Sequence, residues 1–225
     1  VGGFDGLGFG PEQERLAGHR GRGFYAAQSF SDVPDGRRIL IGWWQTETRG
    51  MPFNQSMTVP LELGLRETTE GVRLTFAPVR ELSTLRRGVQ SLGALELRPG
   101  QRNPLEGMES ELADVELEFE PGTAGAVVLT VRGVVLEYDV RKQELVVAGH
   151  RVAAPLQSGH QHLRVLCDRT GVEVFASGGL CYVPMPLNVD SQNRRLYLEA
   201  RGGTAVVHSV EVHALRSAWS RGGER

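Results

Sequence analysis

Apolar and polar positions alternate with a period of two through most of the chain, the spacing of strands that bury one face and wet the other. Val115, Leu117 and Phe119 alternate with Glu116, Glu118 and Glu120. Val134, Leu136, Tyr138 and Val140 repeat the pattern, as do Leu196, Leu198 and Ala200 against Arg195, Tyr197 and Glu199. Turn residues fall between such runs at Pro34-Asp35-Gly36, Pro121-Gly122, Ser177-Gly178-Gly179 and Gly202-Gly203. Many short strands separated by turns read as a sandwich, barrel or propeller, so the expected class is all-β.

One segment breaks the rhythm. Val79, Leu82 and Leu85 are spaced like one face of a helix and Gly88 follows, which predicts a short helical linker over residues 79–92. Ahead of it roughly four strands are expected, centred on 24–30, 39–44, 57–65 and 72–76, and after it about nine or ten shorter ones up to Leu215. The expected organisation is a partial β-propeller of about one blade over 1–78, an antiparallel β-sandwich over 93–219 and a disordered tail over 220–225. Ile39-Leu40-Ile41-Gly42-Trp43-Trp44 is apolar on both sides of its strand and expects neighbours on both faces. One blade cannot cover both, so either a partner lies there or the chain is a piece of something larger.

Composition narrows the function classes. At 225 residues, 40% hydrophobic and 23% charged, the chain can bury a sizeable core. A net charge of −2 gives no broad field for nucleic acid or anionic lipid, and Arg supplies the positive charge except for Lys142. No apolar run approaches the ~20 residues of a membrane-spanning helix. Cys167 and Cys181 lack zinc or CxxC spacing; Cys167 reads as a small buried hydrophobe, and a disulfide between the two stays open. No signal-peptide pattern stands in these residues, and Val1 in place of Met sets the expectation that more chain precedes it.

Several motifs in order carry a resemblance. FYAAQSF, GRRILIGWW, PFNQSMTVPLEL and PVREL resemble the final propeller blade of glycoside hydrolase family 32, the invertases, levanases and inulinases. VGGFDGLGFGPE is similar to the strand leading out of the preceding blade, and LRVLCDRTGVEVFASGG and SVEVHALRSAW to the family's C-terminal sandwich. The resemblance implies a five-bladed propeller followed by a sandwich, with a retaining mechanism in the propeller funnel. Such a mechanism needs two carboxyl groups about 5 Å apart. The family's Trp-Met-Asn-Asp-Pro-Asn, Arg-Asp-Pro and Glu-Cys-Pro motifs do not occur in these residues, so no catalytic residue is transferred. Gly23 stands where the family usually has an aspartate, and Leu61 where it usually has an arginine.

The resemblance therefore implies a C-terminal part of a fructan- or sucrose-acting glycosidase, inactive alone, with carbohydrate as its small-molecule partner. It favours an extracellular or periplasmic setting and calls for no cofactor. A stand-alone fructan-binding module is the alternative. A further one is an interaction role, in which the open blade edge pairs with a second copy or with a chain carrying the missing blades.

Candidate sugar contacts are Trp43, Trp44, Gln45, Glu47, Tyr25, Asp168 and Glu173. Indole rings stack on sugar C–H faces, but adjacent strand residues point to opposite faces, so at most one of Trp43 and Trp44 can reach sugar. Gln45 and Glu47 follow on a loop, where scaffolds place contacts. Tyr25 alternates with Phe24, and one of them faces inward. Asp168 and Glu173 could grip vicinal hydroxyls, although the favoured reading is that Asp168 and Arg169 begin a turn and that Glu173 satisfies a neighbouring strand or an interface. His160 and His162 share a strand face with no carboxylate near them in sequence, short of the four ligands of a closed zinc site, so no metal role is expected.

Overall fold

A computed structural model of the chain describes residues 1–14 and 16–218. The tail expected over 220–225 lies outside them. A short hairpin, β1 (Gly2–Phe4) and β2 (Phe9–Pro11), opens the chain. The blade follows as β3 (Phe24–Ser29), β4 (Arg38–Trp44), β5 (Ser56–Met57), β6 (Leu61–Thr68) and β7 (Gly71–Pro78). Its order is β3-β4-β6-β7, with β5 paired to the end of β4. The third expected strand is interrupted before Leu61, where Pro60 has no N–H to donate to a ladder.

Residues Arg80–Leu85 form a 3-10 helix, and the expected helical linker ends there. The next residues are β8 (Arg86–Leu92), paired with the last strand among the described residues. Gly88 and Gly93 support a helix poorly, and Arg86 is held by the Asp114 carboxylate, which draws this segment into the sheet.

The sandwich continues with β9 (Leu95–Leu97), β10 (Ala113–Glu120), β11 (Ala126–Val131), β12 (Val134–Asp139) and β13 (Glu144–Val147). Then come β14 (His150–Ala153), β15 (Gln161–Cys167), β16 (Gly171–Ala176), β17 (Cys181–Pro186), β18 (Leu196–Arg201) and β19 (Ala205–Leu215). One sheet runs β17-β16-β15-β10-β19-β8 with β9 beside β19; the other runs β14-β13-β12-β11-β18. The alternating residues legible in the sequence fill the space between them. Val115, Leu117, Phe119, Leu136, Tyr138 and Leu198 are all buried in one cluster. Cys167 and Cys181 belong to the same core and are free thiols, their pKa pushed up by burial to about 11 and about 12.

Strands β16 and β17 are buried on both faces, and this joins the two units. Val172, Val174, Cys181 and Val183 point into the sandwich, whereas Phe175 and Tyr182 point the other way. There they meet Leu61 and Phe76 of the blade, with Phe24, Leu40 and Leu63 packed around them. The approach segment is laid along β17, the Arg20 and Arg22 N–H groups donating to the Tyr182 and Pro184 carbonyls at 2.7 Å each. A Cβ at Gly21 would stand 2.0 Å from the Pro184 oxygen, so only glycine permits that approach. The sandwich thus covers one of the two apolar blade faces. The other is left uncovered by the described residues.

Candidate functional site

The open face is built by the alternation of β4. Leu40 and Trp44 turn toward the sandwich, and Trp43 turns away with 41% of its surface exposed. Tyr25 sits directly across from Trp43 in the β3–β4 register and is 62% exposed. The two rings meet edge to face, centroids 6.1 Å apart at 65°, a favourable aromatic geometry. Met57 flanks Trp43 from the opposite strand and is also exposed.

Past the end of β4 the alternation continues. Gln45 and Glu47 are exposed while Thr46 between them is buried. The Gln45 N–H donates to the Gly23 carbonyl at 2.8 Å, and the Thr46 hydroxyl meets that of Ser56 at 2.9 Å. Gly23 has a φ of +72°, the left-handed region that glycine enters freely. Four of the sequence candidates, Tyr25, Trp43, Gln45 and Glu47, therefore lie on exposed positions around one strand end.

The other three candidates lie elsewhere. Trp44 is 3% exposed and its ring lies over Gly171, where an added Cβ would come 2.8 Å from the indole. Glu173 is buried at the joint between blade and sandwich. Its Oε1 accepts the Val59 N–H of the blade at 2.8 Å, and its Oε2 accepts the Tyr182 hydroxyl in a short contact. Tyr182 is stacked between Phe175 and Phe76, at centroid distances of 5.0 and 5.4 Å. Burial raises the Glu173 pKa to about 7, against the smaller lowering effects of these two donors. Desolvation and the neighbouring Glu173 carboxyl raise the Tyr182 phenol as well.

Asp168 occupies an exposed turn. Its carboxylate accepts the Arg169 N–H at 2.6 Å, and its own N–H donates to the Gly171 carbonyl at 2.9 Å. It makes no joint patch with Glu173, whose two oxygens face the blade and Tyr182.

Sequence reasoning missed three arrangements. A half-open cavity of ≈ 1800 Å³ lies between blade and sandwich, lined by Leu16, Arg20, Leu65, Arg73, Arg141 and Gln157 among others. Its walls come from five separate loops and strand ends, which no spacing links. Arg132 is 2% exposed and donates to the carbonyls of Glu111, Asp190 and Asn193. Glu120, His160 and His208 come together on the outer sandwich sheet. The single hint of that meeting is the broken alternation at Val207-His208-Ser209-Val210.

A propeller-type blade docked on a β-sandwich through a shared aromatic joint places the molecule in the propeller-plus-sandwich class. Two family descriptions match in tandem: "Glycosyl hydrolases family 32 N-terminal domain" over residues 1–78, and "Glycosyl hydrolases family 32 C terminal" over residues 81–214. The chain belongs to glycosyl hydrolase family 32. It is 32% identical to a levanase of Bacillus subtilis (strain 168), over 97% of this chain and 37% of that protein. A levanase of Bacillus sp. (strain L7) is 28% identical, over 88% of this chain and 25% of its own length. Among solved structures, the exo-inulinase from Aspergillus awamori has the same fold over 97% of this chain and 50% of its own, with a TM-score of 0.79 at 20% identity. Fructan 1-exohydrolase IIa from Cichorium intybus gives 0.69 at 18% identity, covering 90% of this chain and 50% of that one. The chain thus spans between a quarter and little more than a third of the levanases it matches.

Proposed function

We propose that these residues form the closing blade and sandwich of a fructan- or sucrose-acting glycoside hydrolase. In this reading they supply one wall of its sugar site and do not cleave glycosidic bonds on their own. The observation that carries the proposal is the exposed Tyr25–Trp43 pair with Gln45 and Glu47 beyond it. Aromatic faces stack on sugar C–H groups, and a neighbouring amide and carboxylate can order the hydroxyls. Retaining hydrolysis needs two carboxyl groups about 5 Å apart, and Glu47 is the one carboxylate of this group. The names of the relatives, levanase and exo-inulinase among them, favour a fructan as the sugar.

A second reading is an interaction role, favoured by the same face. β3 has no strand partner on its outer edge among the described residues, and Tyr25, Phe30, Trp43 and Met57 leave apolar surface beside it. Such an edge and patch invite a further chain, either a second copy or one carrying the remaining blades.

Calorimetric titration with levan, inulin and sucrose, together with light scattering on the same sample, tests both. Sugar binding by the monomer that is lost in Trp43→Ala supports the wall reading. No heat with any sugar at millimolar concentration, combined with a stable dimer, favours the interaction reading.

A further inference from the structure

We propose that Glu120, His160 and His208 form a binding site for a divalent transition-metal ion of the zinc class on the outer sheet of the sandwich. The three ligand atoms lie within 4.8 Å of one another. The Glu120 carboxylate oxygen is 3.1 Å from His208 Nε2 and 3.4 Å from His160 Nε2. A tetrahedral zinc ion with bonds of about 2.0–2.1 Å separates neighbouring ligand atoms by roughly 3.3 Å, so two edges of that tetrahedron already stand in place. The two imidazole ring centroids are 5.0 Å apart, and an ion would draw the two rings together to close the third edge.

Local backbone features aim these side chains. In regular pairing His208 would fall opposite Phe119, whose side chain is fully buried in the core. The register instead shifts between Glu118 and Phe119, and Val207 takes the place opposite Phe119. His208 is the extra residue of this bulge and is turned to the outer face beside Glu120. Bulges re-aim side chains in this way next to functional sites. His160 is held by a tight turn, with Ser158 and Gly159 both at positive φ and reciprocal backbone hydrogen bonds to Gln157 at 2.8 and 3.0 Å. This sets His160 one residue beyond the Phe119–Gln161 pair, next to Glu120.

The second nitrogen of His160 supports the assignment. Nδ1 is buried and accepts or donates no hydrogen bond, yet it lies 3.9 Å from a Glu118 oxygen. A metal on Nε2 fixes the proton on Nδ1, directed at that carboxylate, the carboxylate–histidine–metal arrangement that orients such ligands. Two imidazoles and one carboxylate suit zinc and its neighbours rather than calcium or magnesium, which take oxygen ligands. Glu120, His160 and His208 are each 34–45% exposed, which leaves a position open to water. The ion would tie together β10, β19 and the turn before β15.

The test is titration of the untagged chain with zinc chloride, read by calorimetry and by the thermal unfolding midpoint. The expected result is one saturable site per chain and a midpoint raised by zinc, since the ion binds only the folded state. Glu120→Gln and His208→Ala should each weaken binding by about tenfold or more. His162→Ala, at an exposed histidine outside the trio, should bind like the parent. Circular dichroism without metal checks that all three variants keep the fold. Absence of saturable uptake, equal uptake by the Glu120→Gln and His208→Ala variants, or equal competition by calcium would overturn the proposal.

Discussion

Glu173 makes the joint between blade and sandwich dependent on pH, and the direction follows from its surroundings. Its carboxyl is buried with a pKa raised to about 7 from the ordinary 4.5. Between those two values the folded chain keeps the proton and the unfolded chain has lost it. Stability contributed by this group is therefore full below pH about 4.5, declines as pH rises, and is gone above about 7. At about 1.4 kcal/mol per pKa unit, the loss across that window is about 3 kcal/mol. His19 works in the opposite sense, since burial lowers its pKa and favours its neutral form at higher pH. Glu81, Glu106 and Glu111, held low by arginine partners, lose their contribution only in acid below this window. Glu173→Gln isolates the effect, because an amide can still accept the Val59 N–H and can donate to the Tyr182 oxygen without ever ionising. Urea unfolding at pH 5 and pH 8 is the assay. The wild-type chain should lose about 2–3 kcal/mol more than the glutamine variant across that step. Parallel losses in the two proteins would refute the reasoning.

Two further substitutions probe the same framework. Trp44→Ala should cost about 3–5 kcal/mol in urea unfolding, the usual loss for a buried aromatic, whereas Trp44→Phe should cost about 1 kcal/mol or less because the indole Nε1 has no hydrogen-bond partner to lose. Arg132→Ala should cost about 3 kcal/mol or more by stranding the carbonyls of Glu111, Asp190 and Asn193. Lysine at that position should not restore it, since one ammonium cannot reproduce the planar fork.

The strand pattern was legible because each strand of the sandwich has one dry and one wet face. Leu117 and Leu136 are buried as their alternation requires, and the neighbouring Glu116 and Glu137 are only half-buried. The helical reading rested on Val79, Leu82 and Leu85, and the 3-10 helix ends with the last of them; residues 86–92 carry no such spacing and form β8. Opposite orientation of Trp43 and Trp44 was expected from the strand period, but the direction each takes depends on which blade face the sandwich covers. That follows from Phe175 and Tyr182, more than a hundred residues away. The trio of Glu120, His160 and His208 depends on a bulge and a turn, and long-range pairing of this kind leaves little trace in local spacing. For Glu173 the sequence left a neighbouring strand and an interface both open, and its partner Val59, more than a hundred residues earlier, could not be read from the chain.

The central claim is that these residues form part of a sugar site without the pair of acidic groups that cuts the bond. Fructose release from sucrose, levan and inulin by the purified chain, measured alongside a mock preparation, tests it most directly. The account predicts release no greater than in the mock sample. Release that tracks the chain through successive purification steps would contradict it.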